Sequence, residues 1–260
     1  MSDILIVDDE QVIIDSIIKI SKLDGFTAVG VTNVQEALKK LEEEKFLIII
    51  SDIMMPELDG FAFLQKLEER GIKIPVIMTT GYSTVDNAVQ SLYQGAVGFI
   101  PKPFTIDEME SLISRSIKFA QISRLEIFST DKIIYVPCPA KYLRLGYNSW
   151  MLPEDDGSAL IGLTNYLIKT TKNITSIELF HIDEELLQGN VCVKISTDDG
   201  LVHSILSPLS GRIIQRNERL FDDPTLVEKD PYFDGWLYRI IPNEFEYETK
   251  HLIPCSSDRN

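Results

Sequence analysis

The chain has 260 residues, 44% of them hydrophobic, and its 40 acidic against 25 basic side chains give a formal charge of −15. That length and apolar content suit two ordinary domains with cores of their own, and the acidity excludes nonspecific nucleic-acid binding, which needs a basic footprint to neutralise phosphates. No apolar run is long enough to span a bilayer and no basic stretch leads into a cleavable apolar segment, so the expectation is a cytoplasmic protein with no membrane partner and reduced thiols.

The first element is the apolar run Ile4-Leu5-Ile6-Val7, stopped by Asp8-Asp9-Glu10. Val12, Ile13, Ser16, Ile17 and Ile20 follow at helical spacing. The cycle recurs with Ala28 to Val31, a helix through Ala37 and Leu41, Phe46 to Ile50 ending at Ser51-Asp52, and a helix after Gly60. Val76 to Met78 then ends at Thr79-Thr80-Gly81, and a helix around Val85 to Leu92 leads into Ala96 to Ile100. Continuously apolar strands alternating with amphipathic helices predict an α/β fold, a doubly wound five-stranded parallel sheet covered on both faces. In such sheets the ligand site forms outside the carboxyl ends of the strands, and Asp8, Asp9, Asp52, Thr80 and Lys102 all fall there.

Those residue types dictate a chemistry. Converging carboxylates repel one another and are costly to bury alone, so the site calls for a divalent cation with oxygen ligands, and Mg²⁺ with a phosphate in its shell fits. Asp52 is the expected nucleophile toward phosphorus, Lys102 neutralises a phosphoryl oxygen, the Thr80 hydroxyl donates to another, and Gly81 leaves room for the group to enter. Singly, an acidic triplet reads as a solvated turn, an Asp after a strand as a helix cap and Lys-Pro as a loop. Their order at successive strand ends is what makes a site.

Helical spacing continues through Met109, Leu112, Ile113, Ile117, Phe119 and Ile122, which places a first domain at 1–122 and a linker at 123–132. Beyond it the texture turns to short β-rich runs over 133–254, with a tail at 255–260. These runs are Ile133 to Val136, Ser158 to Leu163, Ser176 to Phe180 and Val191 to Ile195. The last returns through Leu201 to Leu206 across Thr197-Asp198-Asp199-Gly200, which reads as a hairpin. A compact, mostly β second domain follows. Cys138, Cys192 and Cys255 are odd in number and far apart, and His181, His203 and His251 lack metal-ligand spacing, so all six are expected to pack in the core or at the surface. Tyr232 and Trp236 are expected in the core.

Two resemblances sharpen these readings. Val7-Asp8-Asp9-Glu10, Asp52-Ile53-Met54-Met55-Pro56, Thr80-Gly81 and Lys102-Pro103-Phe104 resemble bacterial response-regulator receiver domains of flavodoxin-like fold, over about Met1 to Ala120. The resemblance implies phosphorylation of Asp52 by a histidine kinase, with Asp9, Asp52 and the Met54 carbonyl binding Mg²⁺ and Asp8 acting through water. It also implies that Thr80 and Phe99 form the switch and that the Lys102-Pro103 bond is cis. The second half is similar to the glycine cleavage system H protein, a lipoyl carrier with a flattened barrel or sandwich fold. Ala159 to Tyr166, Leu206 to Gly211 and Asp223 to Leu237 carry that similarity. Counted back from Ser207-Pro208, the lipoyl-bearing lysine of that family falls on Gly200, which has no amine, so no lipoylation site is expected.

The leading expectation is a two-component response regulator, not an enzyme with a separate substrate, whose Asp52 phosphorylation controls how a non-lipoylated H-protein-like domain meets a protein partner. A phosphorylation-gated lipoyl carrier serving a glycine cleavage or other lipoate-dependent complex is the alternative. A DNA-binding regulator ranks below both, for want of a helix-turn-helix pattern. Homodimerisation through the linker helix is left open by the sequence.

Overall fold

A computed structural model describes residues 2–82, 84–128 and 138–256. The expected strand over Ile133 to Val136 lies outside the described residues. Two compact units emerge, one built from residues 1–84 with 94–129 and the other from 85–93 with 130–260.

In the first unit, β1 (Ile4–Val7), β2 (Ala28–Val31), β3 (Ile48–Asp52), β4 (Val76–Thr80) and β5 (Gly98–Pro101) form a parallel sheet ordered β2-β1-β3-β4-β5. Helices α1 (Gln11–Leu23), α2 (Val34–Glu43), α3 (Gly60–Glu69) and α5 (Ile106–Phe128) belong to the same unit, and α4 (Val85–Tyr93) is grouped with the second. Every residue of β1, β3 and β4 is buried, which is why their sequences read as unbroken apolar runs rather than alternating ones. Local chemistry starts the helices. Asn33 accepts a hydrogen bond from the Glu36 N–H and Asp59 from the Ala62 N–H, while Thr105 and Glu108 cap each other reciprocally before α5. Helix α5 runs on to Phe128, so six residues given to a linker by the sequence reading, 123–128, are helical.

The second unit is antiparallel, as expected of a mostly β domain. Its strands are β6 (Leu143–Leu145), β7 (Ser149–Pro153), β8 (Ala159–Leu163), β9 (Ile174–Leu179), β10 (Glu185–Leu186), β11 (Val191–Thr197), β12 (Val202–Leu206), β13 (Gly211–Arg216), β14 (Trp236–Pro242) and β15 (Ile253–Pro254). Short helices α6 (Asn165–Thr170), α7 (Arg219–Asp222), α8 (Leu226–Lys229) and α9 (Phe245–Glu248) punctuate them. One sheet is ordered β10-β13-β14-β8-β7-β6-β15 and the other β12-β11-β9. Side chains such as Met151, Ile161, Val193, Ile195 and Ile240 fill one core, which also takes in Val89 and Leu92 of α4.

A second cluster joins Cys138, Tyr142, Trp150, Tyr232 and Cys255. Here the sequence expectation of three separate reduced thiols is corrected, because Cys138 and Cys255 are disulfide-bonded and only Cys192 is a free buried cysteine among the described residues. Tyr232 is buried as expected, whereas Trp236 is half-buried at the cluster's margin. Among the described residues no helix is long and apolar enough to cross a membrane.

Candidate functional site

The carboxyl edge of the parallel sheet collects the polar residues that the sequence places there. Strand β1 ends in Asp8, buried, and Asp9, exposed; β3 ends in Asp52, which is 4% exposed. From the end of β5, Lys102 reaches back so that its Nζ lies 2.8 Å from Asp8 Oδ2 and 3.4 Å from Asp52 Oδ2, with Glu10 Oε1 also at 3.4 Å. The Lys102-Pro103 bond is cis, as the resemblance implied.

The electrostatics follow from burial. Withdrawal from water pushes the Asp52 carboxyl up to about 6, because the Lys102 ammonium offsets only part of that cost and the Asp8 charge adds to it. Asp8 is raised for the same first reason. Burial works against the Lys102 charge, but its hydrogen bond to Asp8 and the charges of Asp8 and Asp52 hold its pKa above the usual lysine range.

Thr80, fully buried at the tip of β4, accepts a hydrogen bond at Oγ1 from the Tyr82 N–H at 3.1 Å. Its carbonyl accepts one from the Lys102 N–H at 2.8 Å, tying the two strand ends together. Phe99 is half-buried on β5, opposite Met78 of β4, and packs against the core of this unit. Met54 lies just past β3 with its side chain exposed, and a Cβ placed on Gly81 would meet open space.

Two residues here carried no role in the sequence reading. Glu10 enters through its approach to Lys102, and its place directly after the two aspartates was the available signal. Gly60 begins α3, where its N–H donates to the Ile53 carbonyl at 2.8 Å, and an added Cβ would sit 2.3 Å from the Asp52 carbonyl oxygen and 2.7 Å from Met78 Cε. Glycine lets the helix lie against the backbone of Asp52. Gly60→Ala is therefore expected to destabilise the first unit by about 1–3 kcal/mol and to displace the backbone of Asp52. A urea titration reads this, and an unchanged midpoint would refute the close-packing argument.

A divalent cation fits the donor set. One oxygen from each of Asp8, Asp9 and Asp52 lies within 4.8 Å of the others. Asp52 Oδ1 is buried with no hydrogen-bond partner, and an all-oxygen anionic set suits a hard ion such as Mg²⁺.

Comparison with known families identifies two domains. Residues 4–114 match the response regulator receiver domain, and residues 142–257 match the glycine cleavage H-protein. The chain joins a receiver domain to an H-protein-like domain. Over 134 residues the chain is 35% identical to a putative response regulator NtrX-like of Rickettsia bellii, covering 51% of this chain and 28% of that one. It is 39% identical over 97 residues to the DNA-binding transcriptional regulator NtrC of Escherichia coli K12, covering 37% and 21%. The chain thus spans under a third of the length of these curated relatives. A crystal structure of a glycine cleavage system H protein from Mycobacterium marinum is 24% identical, covering 46% of this chain and 94% of that one, with a TM-score of 0.40.

In the H-protein-like domain, the position of interest is the β11–β12 turn. The Thr197 N–H donates to the Leu201 carbonyl and the Gly200 N–H to the Thr197 carbonyl, each at 3.0 Å, with Gly200 at φ +83°. That left-handed conformation is one an L side chain adopts only under strain. The turn thus lacks an amine at Gly200 and is shaped around glycine.

Proposed function

We propose that the chain is a phosphoacceptor of two-component signalling, in which Asp52 takes a phosphoryl group from a phosphohistidine of a histidine kinase and thereby controls a protein interaction of the H-protein-like domain. The observation that carries this reading is the arrangement of Asp52, nearly buried, with Oδ1 unpartnered and Lys102 beside Oδ2. An Asp52 oxygen would form the new bond to phosphorus as the imidazole nitrogen leaves, giving an acyl phosphate. Lys102 would then shift from pairing two carboxylates to pairing a phosphoryl oxygen, and the Thr80 hydroxyl would donate to another. Asp8, Asp9, Asp52 and the Met54 carbonyl are the groups that would hold Mg²⁺, which when bound neutralises charge between carboxylates and phosphate.

A response at Thr80 has a short covalent path onward. Helix α4 starts at Val85, five residues along the chain, and its Val89 and Leu92 are part of the core of the second unit. Thr80 and Phe99 are the groups that would move, since phosphorylation acts by adding charge beside a two-state element. The output is binding rather than lipoyl transfer, because Gly200 offers no attachment point.

The test is a pull-down from native lysate with the full-length chain, with and without Mg²⁺ and beryllium trifluoride as phosphoryl mimic. A protein partner retained in one state and lost in the other is expected. The same proteins retained in both states would overturn phosphorylation control of binding.

A further inference from the structure

The bonded pair Cys138 and Cys255 joins positions 117 residues apart, near the two ends of the described part of the second domain. Their Cα atoms are 5.4 Å apart, within the ordinary disulfide span. Both are essentially buried, against Tyr142, Trp150 and Tyr232. The surroundings are built around the pair. The Tyr142 hydroxyl donates to the Tyr232 carbonyl at 2.7 Å, Trp150 Nε1 donates to the Pro231 carbonyl at 3.1 Å, and the Cys255 N–H donates to the Tyr142 carbonyl at 3.0 Å.

Cys255 follows a short edge pairing. The preceding strand β15 has two residues and pairs only with β6, at the edge of its sheet. Local opening of this short pairing is the step that would bring the Cys255 sulfur to a thiol reagent. Cys192 differs in kind, being buried in the main core beside Ser207, with burial pushing its thiol up to about 12. It is too poor a thiolate to compete in exchange.

We propose that Cys138 and Cys255 form a reversible thiol–disulfide couple that staples the first and last described segments of the second domain, so that its stability follows the thiol redox state. In a reducing compartment disulfides are rare, and those that form are usually transient and serve catalysis or redox sensing. Oxidation by a small-molecule disulfide runs in two displacements. The Cys255 thiolate attacks one sulfur of oxidised glutathione and releases one glutathione. The Cys138 thiolate then attacks the mixed disulfide and releases the second. The protein loses two protons and two electrons, and one oxidised glutathione becomes two reduced ones. This step is independent of the phosphoryl chemistry.

Full-length protein equilibrated with oxidised glutathione or with dithiothreitol, then unfolded in the presence of a maleimide, should take up one label in the first case, on Cys192, and three in the second. Because the bond closes a long loop of the unfolded chain, reduction should lower the melting temperature of the second domain by about 10 °C. Cys138→Ser should melt like the reduced wild type in both buffers. Three labels after oxidation, a disulfide-linked dimer, or equal melting of the oxidised and reduced wild type would each overturn the proposal. The wild-type measurements decide it even if the variant does not fold.

Discussion

Asp52→Asn is expected to reduce acid-labile phosphorylation of the full-length chain at least about a hundredfold, to background, because the amide removes the anionic nucleophile while keeping its shape. The same substitution has a second signature. Burial raises the Asp52 carboxyl to about 6 in the folded chain, above the ordinary carboxylate value of 3.8. The folded state therefore holds this proton more tightly than the unfolded state. Its contribution to stability is fully present below about pH 4 and is lost as the pH rises through about 6. At pH 7 in chelator the wild type thus carries a buried charge that asparagine does not. The variant should be more stable by roughly 1–3 kcal/mol, with the gap closing as the pH falls toward 4. Urea unfolding at pH 4 and pH 7 measures this. Labelling at wild-type strength would sink the assignment of Asp52, and a variant less stable than wild type at pH 7 would contradict the electrostatic account of the site.

The legibility of this site in the sequence has a physical origin. Strands β1, β3 and β4 are buried throughout, so their apolar runs stand out, and the polar residues that stop them mark the sheet edge where ligands bind. Other features leave weaker traces. Helix α5 continues past Ile122 to Phe128, where Leu125 and Phe128 keep the three-residue spacing while Ser123, Arg124 and Glu126 dilute it. Strand β10 has two residues, and α7, α8 and α9 have four each, too few for any period to register. The Cys138–Cys255 bond joins residues brought together only by the folded sheet, and sequence spacing carries no geometry at such a separation. Gly60 is a similar case. It reads as a helix start, while its requirement comes from the backbone of β3 lying against it.

Wild-type protein expressed with lipoate is expected to carry no lipoyl adduct, which separates the binding-module reading from the lipoyl-carrier one. At the tip of the β11–β12 hairpin, where the resemblance puts that family's lysine, stands Gly200, and the residues around it are Asp198, Asp199 and Leu201. Lys194 is the nearest lysine before the turn, but it sits within β11, the middle strand of its sheet, opposite Glu178 of β9 and Ser204 of β12. Ladder hydrogen bonds on both sides hold that backbone flat, so Lys194 cannot project from a turn as the attachment chemistry requires. A lysine installed at Gly200 would meet no atom within 4 Å of its Cβ, so the obstacle is the φ of +83° and not space. Gly200→Lys should therefore fold, lose about 1–2 kcal/mol of stability to the left-handed conformation, and present an exposed amine. Intact mass with peptide mapping checks both chains, and an adduct mapped to Lys194 in the wild type would reinstate the carrier reading. If the wild type is unmodified, what the second domain retains of the H protein is its fold. On the proposed function, a folded surface without a carrier arm would transmit phosphorylation of Asp52 through what that surface binds.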